Sequence, residues 1–243
     1  MVESSARKDV IWQRADTVDS YGLSRQGIPF VDAQFDIVAR VLRAHGAEPR
    51  RILDLGCGDG IAAQAIVDQF PVEKAVLVDF SPPMLEMARQ RFADTSLDVT
   101  TIDGDLLTSD WRASVDAIGP FDLVISRYAI HHLPDERKFS LYAEVFEMLV
   151  SGGWFINLEH VKSVNDRYEA AFQGLLIDRI HHVVTDASTR EDVERAFHKR
   201  QDADTNILAP LELQCEWWRE IGFVDVDVPF KALELAILAG RRP

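Results

Sequence analysis

The 243-residue sequence predicts an α/β fold, a mostly parallel sheet with helices on both faces. Two observations carry this. Short apolar runs alternate with amphipathic helical segments from Arg50 to about Glu159, the pattern of buried parallel strands joined by crossover helices. A glycine-rich turn also stands directly between the first strand and the first of those helices, at the edge where such sheets bind ligands.

The elements follow in order. Val31, Phe35, Val38, Val41 and Leu42 recur at helical spacing after the Gly27 and Pro29 punctuation, so residues 1–49 read as a helical N-terminal cap. Ile52–Leu55 is the first strand and Ile61–Phe70 the next helix. Ala75–Val78 is the second strand, Pro82–Phe92 a helix and Val99–Ile102 the third strand. Phe121–Ile125 and Trp154–Leu158 are the fourth and fifth strands, with the helix Glu136–Leu149 between them; Gly152 and Gly153 are expected to end that helix. Helices at Asp166–Ile180 and Arg190–Arg200 do not alternate with strands, so 160–209 reads as a helical insertion or lid placed before the last strands. Helix Leu211–Ile221, stopped by Gly222, leads to two closing strands, Val224–Val228 and Leu235–Ala239, with Lys231 and Ala232 in their connection. The predicted sheet domain is thus 50–159 together with 210–243.

Composition narrows the function. Forty acidic against 26 basic residues give a formal charge of -14, which repels phosphate backbones and makes nucleic acid an unlikely partner. Two cysteines, Cys57 and Cys215, form neither a metal spacing nor a disulfide framework, and both are expected to be buried. No apolar core of a secretory signal and no run of about 18 apolar residues is present, so the expectation is a cytoplasmic protein with no membrane association. No metal site is expected; His181 and His182 lack a carboxylate constellation.

The chemistry rests on Ile52-Leu53-Asp54-Leu55-Gly56-Cys57-Gly58-Asp59-Gly60. Glycines there allow tight turns and close approach of a ligand to the backbone. Their G-x-G-x-G spacing differs from the G-x-G-x-x-G of dinucleotide sites, whose helix end holds a pyrophosphate. Asp54 beside the turn disfavours a pyrophosphate and suits a ligand carrying an ammonium group. S-adenosylmethionine (SAM) has that ammonium and no phosphate. Asp79, ending the second strand, is placed to accept hydrogen bonds from both ribose hydroxyls.

Taken in order, Asp54-x-Gly56-x-Gly58-x-Gly60, Asp79, Gly104-Asp105-Leu106, Phe121-Asp122-Leu123-Val124 and Ser151-Gly152-Gly153 resemble the class I SAM-dependent methyltransferases over roughly Arg50–Leu158. The resemblance implies a Rossmann-like, seven-stranded sheet with an antiparallel last strand. It implies that Gly56 and Gly58 pass beneath the amino-acid end of SAM and that Asp79 binds its ribose. Met84 would pack on the adenine with Phe80 nearby, Asp105 would bond the adenine amine, Leu106 would flank the ring, and Ser126 would sit near the sulfonium. Ser24-Arg25-x-x-Ile28-Pro29 also resembles the N-terminal segment of carboxy-SAM-using tRNA uridine methyltransferases and their relatives, which implies that Arg25 pairs with the SAM carboxylate; the acidic balance argues against a tRNA substrate.

Methyl transfer from a sulfonium is an in-line displacement, so a base is needed only when the acceptor must lose a proton. His131 and His132, in the loop after the fourth strand, are candidate bases, and so is His160 after Glu159; each has the alternative of a structural hydrogen bond. Of the adjacent Trp217 and Trp218, at least one is expected in the core. Phe172, Leu175, Leu176 and Ile180 give the insertion an apolar stripe suited to a small-molecule acceptor. The expected protein is a monomer or homodimer that converts SAM to S-adenosylhomocysteine. A non-catalytic SAM-binding module and an NAD(P)-dependent oxidoreductase are the alternatives.

Overall fold

The computed structural model describes residues 9–14, 27–184, 188–200 and 205–243. Its centre is a seven-stranded sheet of order β3-β2-β1-β4-β5-β7-β6. The strands are β1 (Arg51–Leu55), β2 (Lys74–Asp79), β3 (Asp98–Asp103), β4 (Phe121–Arg127), β5 (Leu149–His160), β6 (Val224–Ala232) and β7 (Leu235–Arg241). The first five are parallel, and β7 runs antiparallel to both β5 and β6. The chain builds β1 to β3 outward in one direction and then returns to lay β4 on the other side of β1. That reversal leaves a crevice at the carboxyl ends of β1 and β4, where neighbouring connections leave on opposite faces.

Two cores sandwich the sheet, and the period-two alternation of strand side chains divides residues between them. Ile52, Leu123, Ile125, Ile156 and Leu158 meet helices α1 (Val31–Ala44), α2 (Ile61–Val67) and α3 (Pro82–Arg91). Leu53, Leu55, Val124 and Phe155 face the opposite core, which receives α4 (Arg112–Asp116), α5 (Asp135–Met148) and α8 (Leu211–Ile221). Trp218 is fully buried there, stacked on Phe155 with ring centroids 4.4 Å apart, while Trp217 packs at its margin. Both cysteines are buried free thiols. Helices α6 (Asp166–Val183) and α7 (Arg190–His198) pack on each other through Ile177, Val193 and Phe197, a small core separate from those on the sheet.

Local chemistry explains the ends. Ser81 caps α3, its Oγ accepting from Met84 N at 3.4 Å, and Pro82 and Pro83 fill the first turn, where no N–H is missed. Thr189 and Asp192 form a reciprocal capping box on α7. Gly222 closes α8 in the left-handed region.

Several sequence expectations need correction. α5 ends at Met148, not at the glycine pair. Leu149 already pairs with Phe121, and Gly152 and Gly153 lie inside β5 at a bulge. At Gly153 a Cβ would stand 3.0 Å from Val150 O and 3.1 Å from Phe121 O, so glycine spares the bulge a tight contact there. Lys231 and Ala232 belong to β6, which pairs with β7 as far as Ala232↔Leu235, so the connection shrinks to Leu233 and Glu234. α2 stops at Val67, short of Phe70. α4 and the 3-10 turns Asp9–Gln13 and Ile130–His132 are too short to leave a periodic signal. Arg25 and Ser24 lie outside the described residues. Among the described residues, no helix is long and apolar enough to cross a membrane.

Candidate functional site

A cavity of about 250 Å³ runs along the carboxyl edge of the sheet, from the end of β2 across β1 and β4 to the end of β5. Gly56, Gly58, Asp79, Phe80, Met84, Asp105, Leu106, His131, His132 and His160 all border it.

Its floor is backbone. Gly56 takes φ 64, and a Cβ there would stand 2.2 Å from the Cβ of Ala129, so the turn after β1 can pass beneath the loop after β4 only as glycine. Gly58 repeats the left-handed turn at φ 53. Its N–H donates to Asp79 Oδ2 at 2.8 Å, and Ser81 N–H donates to Asp79 Oδ1 at 2.8 Å. These bonds aim the carboxylate and leave further lone pairs on each oxygen for hydroxyl donors. Burial pushes Asp79 up to about 6 despite the two N–H donors. Phe80, Met84 and Leu106 make an apolar slot beyond it, with Asp105 at its rim.

Two expected cofactor residues do not line the cavity. Asp54 is wholly buried beneath the turn because strand alternation points it toward α2, where Oδ2 accepts from Ala63 N at 3.1 Å. Its Oδ1 has no hydrogen-bond partner among the described residues, and burial pushes the carboxyl up to about 7. Asp54 therefore does not line the site; its carboxylate holds the first turn of α2 from below. Ser126 is likewise fully buried, its Oγ donating to Leu55 O at 2.7 Å across the β1–β4 pair. The residues that reach the cavity from this strand end are Arg127, Tyr128 and Ala129.

The other half is a histidine cluster. His131 and His132 have ring centroids 4.1 Å apart, and His131 and His160 5.5 Å. His131 Nδ1 lies 2.7 Å from Oε1 of Glu159, a carboxylate buried at the end of β5. That oxygen also accepts from His160 N–H at 2.7 Å. An oxygen already accepting takes Nδ1–H as a second donor, which leaves Nε2 of His131 with the free lone pair. Burial, reinforced by neighbouring His160 and Lys138, pushes His131 well below the usual histidine range and keeps it neutral. Burial pushes Glu159 up to about 7, against the pull of the His160 N–H. His160 Nε2 lies 2.6 Å from Glu234 Oε2 in the β6–β7 connection. His132 Nδ1 lies 3.1 Å from Thr205 O, and burial with His131 beside it pushes this ring down to about 3.

Two flanking segments close over these groups. Phe172, Leu176 and Ile180 of α6 and Phe197 of α7 form an apolar wall. From the amino-terminal side, the turn Asp9–Gln13 crosses the opening. Trp12 O accepts from Ser81 Oγ at 2.6 Å, and its ring lies 6.1 Å from that of His132. Sequence reasoning missed Glu234 and Arg127, and noted Glu159 only as the neighbour of His160. A charged residue ending the apolar run Trp154–Leu158 was the available signal for Glu159; nothing local marks Glu234.

Comparison with known proteins agrees with this geometry. Residues 52–153 match the model of a methyltransferase domain. The demethylmenaquinone methyltransferase of Thermus thermophilus is 32% identical over 111 residues, 46% of this chain and 47% of the relative. The trans-aconitate 2-methyltransferase of Rhodococcus jostii is 30% identical over 129 residues, 53% of this chain and 42% of the relative. The chain thus spans under half the length of these two relatives. In fold, it superposes on an O-methyltransferase family protein from Burkholderia thailandensis with a TM-score of 0.66 at 17% identity, over 97% of this chain and 63% of that one. Residues 52–153 thus match a methyltransferase domain, and the glycine turn and all or part of five of the seven sheet strands fall within that segment.

Proposed function

We propose that this protein transfers a methyl group from SAM to a hydroxyl oxygen of a small, largely apolar acceptor, with His131 as general base. The observation that carries this reading is the buried His131–Glu159 pair, whose imidazole borders the same cavity as the glycine turn and Asp79; with Nδ1 engaged by the carboxylate, Nε2 is the nitrogen left to act as a base. A module that only bound the cofactor would have no use for a desolvated, carboxylate-oriented imidazole. The G-x-G-x-G turn and the methyltransferase-domain match also disfavour an NAD(P)-dependent oxidoreductase.

The residues present suit the cofactor. Asp79 keeps lone pairs for the ribose diol, the Phe80–Met84–Leu106 slot fits a flat adenine, and Asp105 can accept from its amine. Burial pushes Asp54 up to about 7, so an ammonium resting on the turn above it would draw it toward its ionised form and gain that charge as a partner. When bound, SAM supplies a methyl group on a positively charged sulfur that leaves as the neutral thioether of S-adenosylhomocysteine. His131 Nε2 takes the proton from the acceptor hydroxyl as that oxygen engages the methyl. Glu159 holds the ring in the required tautomer and stabilises the charge that develops on it. His160, tied to Glu234, orients the acceptor from the next strand. Helices α6 and α7 serve as the lid, their apolar wall excluding water and favouring an apolar acceptor. The acidic balance and this enclosed wall disfavour a tRNA acceptor.

The test is incubation with methyl-labelled SAM and matched aromatic acceptors bearing a hydroxyl, a carboxyl or an amine. Labelling of the hydroxyl compounds is the expected result. Labelling confined to carboxylates or amines overturns the acceptor atom and the need for His131.

A further inference from the structure

The charge that this reading leaves unused is Arg127. It ends β4, borders the cavity and is only 9% exposed. Alternation along the strand puts it with Leu123 and Ile125 on the α1 face, whereas Glu159, two residues on the same side as Asn157 and Phe155, belongs to the opposite face. Its guanidinium lies over the rings of Tyr128 at 4.7 Å and Phe35 at 5.7 Å. Tyr128 is held in the left-handed region at φ 51, its hydroxyl bonded to Gln34 at 2.8 Å. Yet Nε and Nη2 of Arg127 have no hydrogen-bond partner among the described residues.

A buried guanidinium that rests on aromatic faces, with the charge of Asp54 felt across the strands but not bonded to it, recovers only part of its desolvation cost. Such a group is retained where something else completes it. Its two parallel N–H donors match the two oxygens of a carboxylate. Asp54 sits on the same face of neighbouring β1, also with an unpartnered oxygen, but no bond joins the two. An acid and a base held apart at one edge form a complement to a zwitterion.

We propose that Arg127 binds the carboxylate of the cofactor's amino-acid end; this rests on the cavity being the SAM site. With the ribose at Asp79 on β2 and the reacting methyl beside His131 beyond β4, the amino-acid end falls over the Gly56 ledge between β1 and β4. That is where Arg127 emerges.

The test is calorimetric titration of the native chain and Arg127→Met with two ligands. One is S-adenosylhomocysteine; the other is its decarboxylated analogue, which keeps adenosine, sulfur and amine. The native chain is expected to prefer S-adenosylhomocysteine by about ten- to a hundredfold, the range of a hydrogen bond to a charged group. In Arg127→Met that preference vanishes while affinity for the analogue stays. The ligand-free variant melts no lower than the native chain, because an unpaired buried charge has been replaced by an apolar side chain of similar length. A preference that survives in Arg127→Met overturns the assignment and points to a carboxylate on the acceptor instead. If the methionine variant does not fold, Arg127→Lys keeps the charge without the fork and is expected to narrow the preference; an unchanged preference there also overturns it. A native chain that binds neither ligand defeats the cofactor reading itself, and the assignment with it.

Discussion

Along one sheet edge, the half over β1, β2 and β3 and the half over β4 and β5 are built by different means. In the first, backbone does most of the shaping. Gly56 passes under Ala129 because it has no side chain, and Gly58 N–H aims Asp79. In the second, side chains from distant parts of the chain meet in pairs: His131 with Glu159, His160 with Glu234, and His132 with the carbonyl of Thr205. A site shaped by backbone tolerates little change in size. A site built from side-chain pairs can lose chemistry while keeping shape. Under the proposed function, the first half holds the cofactor and the second acts on the acceptor.

The largest expected effect lies in the paired half. His131→Ala should lower kcat by about 10²- to 10⁴-fold, the usual worth of a positioned base, and leave S-adenosylhomocysteine affinity within about twofold. Glu159→Gln should lower kcat less and change the pH dependence of kcat/KM, since the ring loses its orienting acceptor. Steady-state rates and titration on the same preparations check both. A matching loss of cofactor affinity in His131→Ala would erase the distinction between the halves.

Next in size is a change of shape in the backbone half. Gly56→Ala puts a methyl 2.2 Å from Ala129 at φ 64, so the turn or the loop after β4 must move. A loss of about 1–3 kcal/mol in stability is expected, the usual cost of overpacking, together with loss of S-adenosylhomocysteine binding. Denaturant unfolding and calorimetry read the two effects. Full binding in this variant would show that the close approach of turn and loop is dispensable.

The smallest effect concerns buried charge, which both halves share. Asp54 and Glu159 are pushed up to about 7 and Asp79 to about 6, each chiefly by burial. At these three sites the folded state binds more protons than the unfolded chain between about pH 4 and 7, an excess that His131 and His132, both pushed below the usual histidine range, partly offset on the acid side. These carboxyls favour the ligand-free fold fully below their unfolded values near 4, and that contribution is lost as pH rises through 6 to 7. Melts of the ligand-free protein should thus show falling stability from pH 5 to pH 8. Asp54→Asn should flatten that slope and raise stability at pH 8 by on the order of 1–2 kcal/mol, part of the cost of ionising a buried carboxyl. An unchanged slope would mean that Asp54 stays ionised without penalty, and that its field is weaker than its burial implies.

Much of this molecule was decided by short stretches of sequence. The apolar runs at Ile52–Leu55, Ala75–Val78 and Phe121–Ile125 became parallel strands because burial on both faces demands them, while Val99–Ile102 became the half-buried edge strand beside them. The glycine turn and Asp79 were legible because each is a local event at the end of a strand; Phe80, Met84, Asp105 and Leu106 were expected only from the family resemblance, and all four border the cavity. What only the tertiary structure decided was direction and partnership. Asp54 and Ser126 turn away from the cavity because each strand gives alternate residues to opposite faces, and the face was set by packing against α2 and β1. Three histidines were visible as candidates. Their partners were decided when β5 laid Glu159 beside His131 and the β6–β7 connection gave Glu234 to His160, and the proposed base rests on those pairings. Arg127 stayed hidden because an arginine at the end of a strand is ordinarily exposed. Helix α1, carrying Phe35 and Gln34 from far back in the chain, is what buries it beside the cavity. Partners separated by dozens of residues leave no periodic mark in a sequence; they meet only when the sheet brings their strand ends to one edge.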